Sequence, residues 1–216
     1  MLYTLEEALE LFWDKQVRAL NTCLPAVVVT VHDNLRVDVQ PLLKNLYRDG
    51  TVQDRAVILN VPLMAVGTSR TLIKVPLQKG DIVLCIFSQR GLDNFKAGNG
   101  DAQAPSDFRY MDKRDAIAIP GLFTDKTDPS AKLSTIPEGA LGIIHNIGTT
   151  QESSIVIDAA GKQTLTSPVQ IEVVAPQVLV TATQTTFVGL VNVNGIDLST
   201  HTHISSAPTV PTGPMI

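Results

Sequence analysis

VNVNGIDLSTHTH, Val191 to His203, alternates apolar and polar side chains through Gly195 and runs into two histidines spaced i, i+2. Side chains two apart in an extended backbone share a face, so the spacing points the imidazoles of His201 and His203 to the same side. Two imidazoles fall short of a closed site, because structural zinc takes four ligands and octahedral ions take six. Three copies of the chain would supply six. The stretch therefore predicts a three-fold assembly in which His201 and His203 of each chain converge on one axial ion, and in which the residues before them build a shaft. Six nitrogens suit octahedral coordination, which points first to iron(II), then to nickel or cobalt, and less to tetrahedral zinc.

The composition upstream fits a shaft. From Ser154 onward charged residues are sparse, Phe187 is the only aromatic, and Val, Ile, Thr, Ala and Gln alternate. PVQIEVVA from Pro168 and PQVLVTAT from Pro176 follow each other at a spacing of eight, a weak repeat of the kind that short stacked strands produce. One chain of such strands has no second layer against which to bury its apolar face. Three intertwined chains would bury Ile155, Ile157, Leu165, Val169, Ile171 and Val173 on a common axis and leave no open sheet edge.

Between Pro25 and Arg90 the period of two is broken by turn residues. PAVVVTVH, LRVDVQPLL, RAVILNVPLM, TLIKVPL and DIVLCIFSQR are separated by Asp33-Asn34, Asp49-Gly50, Gly67 and Lys79-Gly80. Five short strands with one apolar face suit a small closed barrel of the oligonucleotide/oligosaccharide-binding (OB) type. The usual binding strands of such a barrel lack clustered aromatic and basic residues here, so it reads as a structural collar. A long polar passage follows Gln89-Arg90-Gly91 and ends in a return strand at Ala116 to Ile119, which predicts a loop anchored at both ends. A linker-like stretch from Asp125 to Gly139 precedes a short strand at Leu141 to His145.

The chain opens with a capping-box signature, Thr4 and Glu7, followed by Leu5, Ala8, Leu9, Phe12, Val17 and Leu20 at helical spacing. One amphipathic helix is expected there. Packing of its apolar side on the following domain is the expectation, with docking on a neighbouring protein the alternative. The acidic start is not that of a secretory signal, and no apolar run approaches the roughly 20 residues of a membrane helix. A formal charge of −4 without any Lys/Arg cluster argues against nucleic acid. Cys23 and Cys85, in separate segments, are expected to be buried free thiols, and His32 and His145 to be ordinary structural or surface histidines. No Ser-His-Asp arrangement, nucleophile elbow or phosphate loop occurs, and an ion closed by six nitrogens would be catalytically silent, so no enzyme is expected.

RGLDNF at Arg90–Phe95, RDAIAIPGLF at Arg114–Phe123 and VNVNGIDLSTHTH resemble, in the same order, the signatures of contractile-tail bacteriophage central spike proteins. The resemblance extends over nearly the whole chain and implies a homotrimer, mainly β. An OB-fold collar would meet the tail hub or baseplate through its N-terminal region, and a triple-stranded β-helix would form the needle. The apex would hold one iron per trimer on His201 and His203 of each chain. It also implies a virion component at the tail tip, synthesised in the host cytoplasm, that pierces the host outer membrane; a trimeric carbohydrate-binding baseplate adhesin is the alternative. The β-helical stretch is short beside the longest spikes, and no lysozyme-like insertion is present. By composition the tail from Ser205 reads as disordered, whereas a spike requires it to fold back over the ion. The expected divisions are an N-terminal helix (1–22), the OB-fold collar (23–122), a linker with short strands (123–153), the β-helix (154–198) and the metal-binding apex (199–216).

Overall fold

The computed structural model describes residues 4–47, 49–129, 136–194, 196–197, 203–204 and 211–212, with residues 18–19, 203–204 and 211–212 described by backbone alone. It divides into two compact units, Met1–Glu138 and Gly139–Ile216. Its described elements are mainly β-strands, and none of its described helices is long and apolar enough to cross a membrane.

In the first unit, helix α1 (Leu5–Ala19) starts on the expected capping box. The Thr4 amide donates to Glu7 Oε2 at 2.8 Å, and the Glu7 amide donates to Thr4 Oγ1 at 3.3 Å. Two of the donors left free in a first helical turn are thereby satisfied. The expectation that α1 packs its apolar side on the domain is overturned, because Leu5, Leu9, Phe12, Trp13, Val17 and Leu20 are all exposed.

Strands β1 (Cys23–His32), β2 (Arg36–Pro41), β5 (Ile58–Pro62), β8 (Ile82–Phe87) and β9 (Ala116–Pro120) form one sheet in the order β5-β2-β1-β8-β9, antiparallel throughout. Alternate residues point inward and make the core: Ala26 and Val28, Val37 and Val39, Val83 and Cys85, Ala116 and Ala118, closed by Ile58, Val61 and Phe87. The sheet curls into a half-barrel whose edge strands touch. Leu63, just past β5, bridges Ala118 of β9 in parallel, and the Met64 amide donates to the Ala118 carbonyl at 2.8 Å. On β5, Asn60 takes a left-handed conformation (φ 54°), one that asparagine tolerates. Its amide donates to Asp38 Oδ1 at 2.8 Å.

Two short hairpins interrupt the sheet: β3 (Asn45–Leu46) with β4 (Val52–Gln53), and β6 (Val66–Gly67) with β7 (Leu72–Ile73). They correct one expectation, since TLIKVPL supplies only the two residues of β7 and joins no barrel edge. AIAIP of the return strand takes the fifth place. Gly67 is required in the small hairpin, because a Cβ there would lie 2.5 Å from the Thr71 carbonyl oxygen. Cys85 is buried and free as expected, but free Cys23 is exposed. The strand period explains the difference, because the inward residues of β1 are the even-numbered Ala26 and Val28.

In the second unit β10 (Leu141–His145), β11 (Ser153–Ile157) and β12 (Gln163–Thr166) form an antiparallel meander. Its register aligns Ile143, Ile155 and Leu165 across the three strands, and all three are exposed. Residues 167–191 carry the alternating pattern yet form no strand among the described residues. Their large apolar side chains, from Val169 to Leu190, are 54–97 % exposed. Two short ladders follow: β13 (Asn192–Val193) with β14 (Ile196–Asp197), and β15 (His203–Ile204) with β16 (Pro211–Thr212).

Candidate functional site

The sequence places the metal on His201 and His203. His201 lies outside the described residues, and of His203 only the backbone is described, opposite Thr212 in the β15–β16 ladder. The chain does turn back at this point, since Pro211 pairs with Ile204. Among the described residues no group of three or more His, Cys, Asp or Glu could hold a metal. His32 Nε2 lies 3.1 Å from Asp38 Oδ1. The Asn60 amide first, and His32 second, hold the Asp38 carboxyl below its ordinary value. His145 is exposed at the end of β10.

The most elaborate polar structure lies in residues 88–115, the long connection between β8 and β9. Its centre is Asp115, 0 % exposed, which ends a single 3₁₀ turn (Lys113–Asp115) just before β9. A buried carboxylate is costly unless paired and hydrogen-bonded, and here both oxygens are occupied. The Leu92 amide donates to Oδ1 at 2.8 Å, and Arg109 forms a two-pronged contact, Nε to Oδ2 and Nη2 to Oδ1, each at 3.2 Å. The Arg109 guanidinium, whose side chain is 12 % exposed, also pairs with Asp107 at 3.1 Å and with Asp93 of the short helix α2 (Asp93–Ala97). The hydrogen bond from Arg109 pulls the Asp93 carboxyl below its usual range, while the same carboxylates raise the pKa of the guanidinium further.

Further contacts fasten the loop to its base. The Arg90 and Tyr110 backbones bridge, Arg90 lies over the Tyr110 ring at 5.3 Å, and the Met111 amide reaches the Gln89 carbonyl at 3.4 Å. The expected anchoring at both ends is therefore present. Lys96 Nζ donates to the Arg114 carbonyl at 3.2 Å, and burial lowers its pKa. The framework leaves a cleft of about 540 Å³, walled among others by Arg90, Asn94, Phe95, Asp101 and Gln103.

Sequence reading missed Arg109 as the organiser. Its partners were in view, since Asp93 stands in RGLDNF and Asp115 in RDAIAIPGLF. The two motifs are the opposite walls of one ion-pair cluster, which no spacing along the chain discloses.

Residues 24–121, from the second residue of β1 to the residue after β9, match the family model of the phage protein Gp138 N-terminal domain. Over these residues, somewhat less than half of its length, the chain is similar to a family of phage baseplate proteins. The match supports a spike-type baseplate protein, with a structural role in the virion alongside other baseplate components. No curated protein matches the chain. The matched residues comprise the curled sheet and the Arg109 loop, whereas α1 and the second unit lie beyond them.

Proposed function

We propose that this baseplate protein is a homotrimeric central spike that pierces the host outer membrane when a contractile tail fires. The observation that carries the reading is the stretch 167–191: strand-patterned, in no strand among the described residues, with its large apolar side chains exposed. Backbone groups and apolar surface of that kind are satisfied by neighbouring chains, and a triple-stranded β-helix supplies them while leaving no free edge. The Ile143–Ile155–Leu165 row offers the same kind of surface at the start of the needle. In the collar, the order β5-β2-β1-β8-β9 with a parallel contact back to β5 agrees with a five-stranded OB barrel. The role is mechanical, and no catalytic step is assigned to any residue.

At the apex His201 and His203 of three chains would hold one iron ion. The donor set fits, because six neutral imidazoles complete an octahedron and exclude water from the metal. The reversal at β15–β16 is what a closed tip requires. Metal analysis of the purified protein should find one iron per three chains, lost in His201→Ala/His203→Ala; one metal per chain, or none, would remove the axial site.

A second reading, a trimeric carbohydrate-binding adhesin, is favoured by the cleft of the Arg109 loop, where amides, a carboxylate, a guanidinium and the Phe95 ring stand together. Sugars are bound by such mixtures of ring face and hydrogen-bonding groups. A glycan array probed with intact protein and with Phe95→Ala separates the readings, since a pure spike gives no glycan signal.

A further inference from the structure

A second cleft of the first unit, about 350 Å³ in volume, lies between β5, α2 and the 3₁₀ turn before β9. One wall is apolar, since Val57 and Leu59, on either side of the inward Ile58, are both exposed. The other wall carries Lys96 from α2 with Lys113 and Arg114 from the turn.

Lys96 is half-buried, and its ammonium makes one hydrogen bond, the donation to the Arg114 carbonyl. It forms no ion pair among the described residues. Burial lowers its pKa; Asp115 and Asp93 act against that, and the charges of Arg36 and Arg109 add to it. Both carboxylates are already held by Arg109, so neither serves Lys96 as a counter-ion. Lys113 also lacks an acidic partner among the described residues. Arg114 engages Asp112 through Nε and Nη2, at 2.9 and 3.2 Å, and its Nη1 has no partner among the described residues. A half-buried ammonium with two further donors and no counter-charge is costly, and an anion in the cleft would remove that cost.

The donors select the kind of anion. A phosphate group presents three terminal oxygens, one each for Lys96 Nζ, Lys113 Nζ and Arg114 Nη1, whereas a carboxylate presents two. The exposed Val57 and Leu59 opposite suit the apolar body of an ester. One cleft on a chain of net charge −4 is not the basic stripe of a nucleic-acid binder. We propose that this cleft binds a phosphate monoester, with its oxygens on Lys96, Lys113 and Arg114 and its organic group against Val57 and Leu59. The site is distinct from the cleft walled by Arg90 and Phe95, and it stands whether the chain is a spike or an adhesin.

Isothermal titration calorimetry of the intact protein with inorganic phosphate and with phenyl phosphate tests it. Phenyl phosphate should bind about tenfold more tightly than the inorganic ion, because its ring covers the apolar wall, and both should weaken as salt is added. Lys96→Met should weaken phenyl phosphate about tenfold, the loss of a charged hydrogen bond. Lys113→Gln should weaken it severalfold while the thermal midpoint stays unchanged, since that side chain is exposed. Bound phosphate should also raise the Lys96 pKa, read by NMR titration of its side-chain carbons. No binding to the unmodified protein, or binding that both variants leave intact, would overturn the proposal. Equal affinity for the two probes would overturn its organic part and leave a site for the free ion.

Discussion

Arg109 shows how one side chain can organise a long loop. It neutralises a carboxylate that is fully buried, and the same guanidinium reaches Asp93 and Asp107, so 88–115 is tied to the base of β9. Asp115→Ala should therefore cost about 3 kcal/mol, because it leaves the guanidinium without its buried partner; equilibrium urea unfolding measures it. Asp93, Asp112 and Asp38 have carboxyl pKa values held below 3.8 in the folded state. Their contribution is fully present above the ordinary carboxylate value and is lost as the pH falls through the lower folded values. The unfolding midpoint should accordingly hold from neutral pH to about 4 and drop below it, and a midpoint that rises on acidification would contradict the pairing. The thiols give a second check at this scale. Burial pushes the Cys85 thiol up to about 11, whereas Cys23 is exposed. A thiol reagent at neutral pH should label one cysteine in the native protein and both after denaturation.

At the scale of elements, most of the sheet is legible in the sequence because its strands are half-buried and carry the period of two openly. Val37 and Val39, or Val83 and Cys85, are read correctly from alternation alone. TLIKVPL misleads because Leu72, Ile73 and Val75 are apolar yet exposed, so the residues that mark a strand do not mark a buried one. β9 instead buries two alanines, Ala116 and Ala118, in the core, and Ala118 bridges Leu63 where the sheet edges meet. Ala118→Asp should then destabilise the domain by more than about 3 kcal/mol through an unpaired buried charge, while Ile73→Asp should change it by less than about 0.5 kcal/mol. Equal effects on thermal unfolding would mean that β7, and not β9, closes the sheet. The capping box of α1 was equally plain, but its partner was not, since an amphipathic pattern states that a face will be covered without stating by what.

At the scale of the whole molecule, one chain leaves its second unit without a core. Among the described residues from 139 onward, Val156 is the only buried apolar side chain, although Val, Ile and Leu are frequent throughout. The apolar alternation of that stretch was legible in the sequence, whereas the Arg109 cluster, which depends on residues 22 apart in sequence meeting around a third, was not. The Ile143–Ile155–Leu165 row makes the point testable without touching the histidines. Ile155→Asp/Leu165→Asp sets two carboxylates into the middle of that face, which water tolerates and a buried interface does not. Sedimentation equilibrium should show the unmodified chain as a trimer at micromolar concentration and the variant as a monomer with reduced metal. Its first unit should still unfold at the original midpoint, because the core of β1, β2, β5, β8 and β9 lies wholly before residue 139. A variant that stayed trimeric would move the interface away from this row and leave 167–191 to hold the chains together alone.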